Sequence, residues 1–174
     1  MLAQAGVDTA FGVISIHNMP ILDAIGRGGA IRFAPSRGEA GGVNMADAFA
    51  RVRGELGVAI TSTGTAAGNA AGAMVEALTA GSPVLHITGQ IETEHLDKDR
   101  AYIHEAPRQL DMLRAVSKAA FRISSPQAAA GVLRKAIETA LSAPTGPVSL
   151  EIPIDVQAAT VDLPATYLIR PRPA

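Results

Sequence analysis

The sequence predicts an α/β fold, a three-layer α/β/α arrangement around a central, mostly parallel sheet. Two observations carry that prediction. Short apolar runs alternate along the chain with longer amphipathic stretches, the pattern of doubly buried strands that are each followed by a helix. Hydrophobic residues make up 48% of the chain, aromatics only 3%, and there are 17 glycines. A core built from Ala, Val, Ile and Leu with many glycines suits close packing of helices on a sheet.

The elements follow in order. Leu2, Ala3 and Ala5 before Gly6 read as the last turn of a helix with a glycine cap, so the chain reads as beginning inside an element. Ala10–Ile14 is a strand and Met19–Ile25 a helical stretch; Ile31–Phe33 is a second strand, and a helix follows Glu39. Gly57–Thr61 (strand), Ala66–Ala80 (Ala-rich helix) and Val84–Thr88 (strand) come next, then a strand at Ala119–Ile123. Ser125 is the expected N-cap of the following helix, with Pro126 at its first position. Ala129, Val132, Leu133, Ala136, Ile137, Ala140 and Leu141 keep its apolar stripe as far as Pro144, and Val148–Ile152 closes as a strand. Pro164, Pro171 and Pro173, with Arg170 and Arg172, read as an extended linker. The expected organisation is a domain over residues 1–160 and a linker over 161–174 leading toward a missing central domain.

Composition removes several function classes. Fifteen basic and 16 acidic residues are interspersed, for a net charge of −1, which leaves no basic stripe for nucleic acid. The absence of cysteine excludes disulfides, thiolate metal sites and a cysteine nucleophile. No apolar run reaches the roughly 18 residues that span a membrane, and the first residues lack the pattern of a signal peptide. A cytoplasmic location is the expectation.

In a parallel sheet, ligands bind beyond the carboxyl ends of the strands. Four loops there carry small or polar residues: Ser15-Ile16-His17-Asn18, the segment of Glu39, Ser62-Thr63-Gly64-Thr65-Ala66-Ala67-Gly68-Asn69, and Gly89-Gln90. Glu39 stands out, because Gly38, Ala40, Gly41 and Gly42 allow close approach while Val43, Met45, Ala46, Phe49 and Ala50 set up a helix behind it. A carboxylate at that position has two readings, a residue that complements the helix dipole or a functional group. Among the histidines, His86 reads as a hydrogen-bonded core residue and His95, among Glu92, Glu94, Asp97 and Asp99, as part of a solvated loop. His17 and His104 are either solvated loop residues or substrate contacts.

A set of motifs in fixed order adds a resemblance. Phe11-Gly12-Val13 with Asn18, Pro20 and Leu22-Asp23 comes first, then Arg37-Gly38-Glu39 with Met45-Ala46-Asp47 and Ala50-Arg51. Thr61-Ser62-Thr63-Gly64 with Asn69 and Ala77-Leu78, Pro83 with Ile87-Thr88-Gly89-Gln90, and Gly146-Pro147-Val148 with Ile152-Pro153-Asp155-Val156-Gln157 complete the set. Over residues 6–160 the chain resembles the N-terminal pyrimidine-binding (PYR) domain of thiamine diphosphate-dependent enzymes, in the acetolactate synthase-like branch. Three stretches depart from the family pattern. Ile14-Ser15 stands for Pro-Gly, Thr61-Ser62-Thr63-Gly64-Thr65 lacks the usual proline, and Tyr102-Ile103-His104-Glu105 has His for Gln.

The resemblance implies the thiamine diphosphate-binding fold and a decarboxylase or carboligase, a lyase or transferase acting on a 2-oxo acid or aldehyde. Its counterpart of Glu39 hydrogen-bonds N1′ of the cofactor pyrimidine and favours the imino tautomer that forms the C2 ylid. Ser62, Thr63, Gly64, Thr65 and Asn69 are implied cofactor contacts, and His17, Gln90 and His104 implied substrate contacts. The family holds diphosphate and Mg²⁺ through a Gly-Asp-Gly motif in a separate domain, and this chain has no Gly-Asp-Gly. No metal ligand is therefore expected here, and a diphosphate-binding domain of the same or another chain is the implied partner. Because the small residues Gly41, Gly42, Ala46, Ala66, Ala67, Gly68, Ala70, Ala71 and Gly72 bury little area alone, a homodimer or larger assembly is expected. The alternatives are a free-standing subunit of a split decarboxylase and a non-catalytic assembly module. A dinucleotide-binding domain is disfavoured, since no Gly-x-Gly-x-x-Gly follows the first strand.

Overall fold

Six strands among the described residues carry the fold: β1 (Thr9–Gly12), β2 (Arg32–Pro35), β3 (Gly57–Thr61), β4 (Val84–Gln90), β5 (Ala119–Arg122) and β6 (Val148–Pro153). They form one sheet in the order β2-β1-β3-β4-β6-β5, with every neighbouring pair parallel. The structure, a computed structural model, describes residues 1–162. Residues 163–174, most of the expected linker, lie outside the described residues.

Helices α1 (Met19–Gly28), α2 (Glu39–Arg53), α3 (Thr65–Ala80), α4 (Gln109–Ala115), α5 (Ala129–Leu141) and α6 (Ile154–Ala158) cover the sheet. Their faces follow from the direction of each crossover. The chain steps from β1 to β2 one way, then returns past β1 to β3 and continues to β4 and β5 before stepping back to β6. Right-handed crossovers in opposite directions place their helices on opposite faces. One core accordingly joins Val58, Ile60, Leu85, Ile87, Val148 and Leu150 to residues of α1 and α5, and the other joins Phe11, Ala59 and Val84 to Val43, Ala46, Ala70 and Met74 of α2 and α3. The central strands β3 and β4 are buried throughout while the edge strand β2 is partly exposed, as their place in the sheet requires.

Most expected elements are present with shifted ends. Gly6 adopts the left-handed cap at φ 90° after a single 3₁₀ turn, Ala3–Ala5. The strand expected over Ala10–Ile14 ends at Gly12. The helix after Ser125 begins as a 3₁₀ turn, Pro126–Ala128, capped by the Ser125 side chain. Gly89 and Gln90, expected in a loop, extend β4 because they pair with Ile152 and Pro153 of β6. Helices α4 and α6, at 7 and 5 residues, are too short to write a stripe into the sequence. No helix among the described residues is long and apolar enough to cross a membrane.

Candidate functional site

The sheet order reverses at β1, and open α/β sheets hold ligands in the crevice beyond the carboxyl ends of the strands at such a point, here β1 and β3. Two of the expected residues, Glu39 and Asn69, meet there. Glu39 is the first residue of α2, behind Gly38 in extended conformation. Its Oε2 accepts a hydrogen bond from Asn69 Nδ2 at 3.2 Å, which joins the start of α2 to the second turn of α3. Oε1 has no partner among the described residues, and nothing stands within 4 Å of where side chains would grow from Gly38 and Gly68. The carboxylate therefore faces an open ledge of small residues with one oxygen committed and one free.

Farther along α2, Asp47 and Arg51 fix the helix against its neighbours. Arg51 donates Nε to Asp47 Oδ1 at 2.9 Å and Nη2 to Oδ2 at 2.6 Å, and also reaches Ser82 and Glu76. Burial alone would raise the Asp47 pKa; the bonds and charge of Arg51, with Ser82, outweigh it and hold the carboxyl below its ordinary value.

The segment Ser62–Thr65 closes the crevice from the β3 side. Ser15 Oγ donates to Ser62 Oγ at 2.7 Å, and Thr88 Oγ1 donates to the Ser62 carbonyl. Thr63 Oγ1 lies 2.9 Å from Gln90 Oε1 and 3.0 Å from Gln109 Oε1, while Gly64 N–H donates to Gln109 Oε1 at 2.7 Å. Two of the departures from the family pattern, Ser15 and Thr63, thus supply the hydroxyls that tie this turn down. Thr65 is exposed at the start of α3. Beneath the turn, His86 lies in the core as expected, with Nε2 2.8 Å from Thr61 Oγ1 and Nδ1 3.3 Å from Ser149 Oγ. Burial pushes its pKa down to about 4, so the ring is neutral.

The two remaining loops bring His17 and His104 together, with ring centroids 5.6 Å apart and planes at 82°. His17 is only 6% exposed, which corrects its reading as a solvated loop residue. Its burial, then the neighbouring His104, push its pKa down, against the opposing pull of Glu92. Two glycines seat this pair: a side chain at Gly89 would overlap the His17 carbonyl oxygen, and one at Gly64, where φ is +61°, would overlap that of His104. Gln157 Nε2 also holds the His17 carbonyl, at 2.8 Å. His104 itself is exposed, as are Ile103 beside it in sequence and Ile14 and Ile16 in the loop of His17. Gln90 stands apart from the other expected substrate contacts. It is 2% exposed, and its amide is engaged with Thr63, Ile91 N–H and Glu151. His95 is half-buried rather than fully solvated, stacked on Tyr102 at 4.0 Å between centroids.

Three residues of this region were not singled out by the sequence reading: Gln109, Glu151 and Glu92. The alternation Val148-Ser149-Leu150-Glu151-Ile152 does signal a strand with one polar face, which points at Glu151; Gln109 and Glu92 carry no such signal. Among the described residues, no group of three or more His, Cys, Asp or Glu side chains could hold a metal ion.

The chain matches a family model described as thiamine pyrophosphate enzyme, N-terminal TPP binding domain, over residues 1–114. It is 33% identical over 165 residues to the acetolactate synthase isozyme 2 large subunit of Escherichia coli K12, covering 93% of this chain and 29% of that protein. It is 30% identical over 162 residues to a probable acetolactate synthase large subunit of Methanocaldococcus jannaschii, covering 93% and 27%. A probable 2-ketoarginine decarboxylase, AruI of Pseudomonas aeruginosa, is 32% identical over 161 residues, covering 92% and 29%. The chain spans less than a third of the length of these curated relatives.

Proposed function

The chain belongs to the family of thiamine pyrophosphate enzyme N-terminal TPP binding domains, and from that premise we propose that it is the pyrimidine-binding half of a thiamine diphosphate-dependent 2-oxo acid decarboxylase or carboligase. The observation that carries the reading is the Glu39–Asn69 pair on an open ledge. The residues fit the pyrimidine end of the cofactor: a carboxylate with one oxygen fixed by an amide and one free, beside Gly38 and Gly68, where an added Cβ would meet nothing within 4 Å. When bound, the cofactor supplies the carbanion chemistry of C–C bond making and breaking.

The chain's own residues then have distinct tasks. Asn69 orients the Glu39 carboxyl by holding Oε2, which leaves Oε1 as the atom that would hold a proton toward the pyrimidine of the bound cofactor. Ser62, Thr63, Gly64 and Thr65 would form the turn on the ring's other side. His17, kept neutral by burial, and exposed His104 stand at the mouth, where a 2-oxo acid or aldehyde would enter. Gln90 acts behind them, through Thr63. The Mg²⁺ and diphosphate require residues beyond those described here, supplied by a diphosphate-binding domain of the same or another chain. Active-site assembly across a homodimer and a cytoplasmic location complete the reading.

The test is to replace Glu39 by Ala in the protein assembled with a diphosphate-binding domain, and to follow CO₂ release from a panel of 2-oxo acids. Loss of about 10²–10⁴ in turnover, the usual weight of a positioned acid–base group, with an unchanged melting curve is the expected result. Undiminished turnover would overturn the assignment.

A further inference from the structure

The second reversal in the sheet, where β6 returns between β4 and β5, holds a polar cluster in which Gln109 and Glu151 are buried and have no task in the reading above. At its centre is the Gln109 side chain, 1% exposed, on the first residue of α4. Its amide makes four kinds of contact. Oε1 accepts from Gly64 N–H at 2.7 Å and lies 3.0 Å from Thr63 Oγ1; Nε2 donates to the Gly89 carbonyl at 3.3 Å and to Glu151 Oε2 at 3.0 Å. Glu151 is 0% exposed, pairs with Arg122, and also accepts from Gln90 Nε2 at 3.4 Å.

The chemistry fixes which way this amide points. A buried carboxylate requires donors and a backbone N–H requires an acceptor, so only one orientation serves Glu151 and Gly64 together. Gly64 meanwhile holds φ +61° and ψ −114° at the N-cap of α3, a conformation open to glycine, and its N–H at that helix start is held by the Gln109 oxygen. We propose that Gln109 is a positioning residue: its amide, oriented by buried Glu151, sets the Thr63–Gly64 turn that receives the cofactor pyrimidine. This rests on the cofactor reading given above for residues 62–65.

Nitrogen-15 NMR of this chain tests it at the Gly64 amide. In the native protein that resonance is expected to be protected and insensitive to pH between 5 and 8. Gln109→Glu places a second carboxyl against Glu151 and removes the donor. The protection of the Gly64 amide, relative to its intrinsic exchange rate, should then fall roughly tenfold. Gln109→Met should lose the protection too, and the double variant Gln109→Glu with Glu151→Gln should regain it, because the donor is returned from the other side. A Gly64 amide that is indifferent to Gln109→Glu and Gln109→Met, or one whose protection the double variant does not restore, would overturn the positioning role. Titration with millimolar thiamine diphosphate and Mg²⁺, in the protein assembled with a diphosphate-binding domain, separates the second question: it should shift Thr63 and Gly64. If Gly64 depends on Gln109 but ignores the cofactor, the pyrimidine reading of the turn is overturned and Gln109 remains a clamp without a cofactor role.

Discussion

His86 gives a quantitative check on the buried polar floor beneath the candidate site. Its ring lies in β4 between Thr61 and Ser149, without a charged partner among its hydrogen bonds. Burial drops its pKa from 6.5 to about 4 in the folded chain, while the unfolded chain keeps the ordinary value. Below pH 6.5 the unfolded state therefore binds the proton more readily, and stability falls as the pH falls. The contribution is intact above pH 6.5 and is lost progressively down to about 4, with a full swing of about 3 kcal/mol. That is a large part of the stability of an ordinary domain. Urea unfolding at pH 7.5, 6, 5 and 4.5, for the native chain and for His86→Gln, isolates the term from the carboxylates that also titrate in acid. The native curve should descend more steeply than that of the variant across this window. Parallel curves would refute a neutral, proton-excluding His86.

Three further predictions follow from neighbouring groups. His17, neutral through burial and the adjacent His104, should titrate below 6.5 in proton–carbon NMR, and His104→Ala should move its midpoint upward; a midpoint at or above 6.5 contradicts the geometry. Asp47→Asn should lower the Tm at pH 7 by several degrees, since it breaks the paired bonds from Arg51. Because the Asp47 pKa is held below 3.8, that stabilisation is present above 3.8 and lost as pH falls through the depressed value, so the two melting curves should converge only in strong acid. The isolated chain should sediment as a dimer and bind thiamine diphosphate with Mg²⁺ only weakly by calorimetry; a strict monomer that binds tightly would contradict the expected assembly and the need for a separate diphosphate site.

Much of the architecture was legible because it is written in periodicity. The buried runs of β3, β4 and β6 and the stripe of α5 are local signals, and so are Gly6 and the Ser125-Pro126 start. What stayed hidden depends on partners distant in sequence. Gln90 reads as a loop residue until its pairing with Pro153 places it in β4. Helix α4 is too short to show a stripe, so Gln109 and its link to Glu151 could not be inferred locally. In the candidate site, Glu39 and Asn69 were legible as motif positions, but their contact across 30 residues of chain is a product of α2 lying along α3. The His17–His104 pair is of the same kind, since two unremarkable loops meet only because Gly89 and Gly64 let their carbonyls approach.

The measurement that bears most directly on the central claim is hydrogen–deuterium exchange at C2 of bound thiamine diphosphate, followed by NMR in the protein assembled with a diphosphate-binding domain. Glu39→Gln preserves shape and the contact with Asn69 but cannot share a proton at Oε1. Exchange should slow by about 10² or more while the fold and cofactor occupancy remain. Exchange at the native rate in Glu39→Gln would remove Glu39 from the chemistry and leave its carboxylate as a helix-terminal charge.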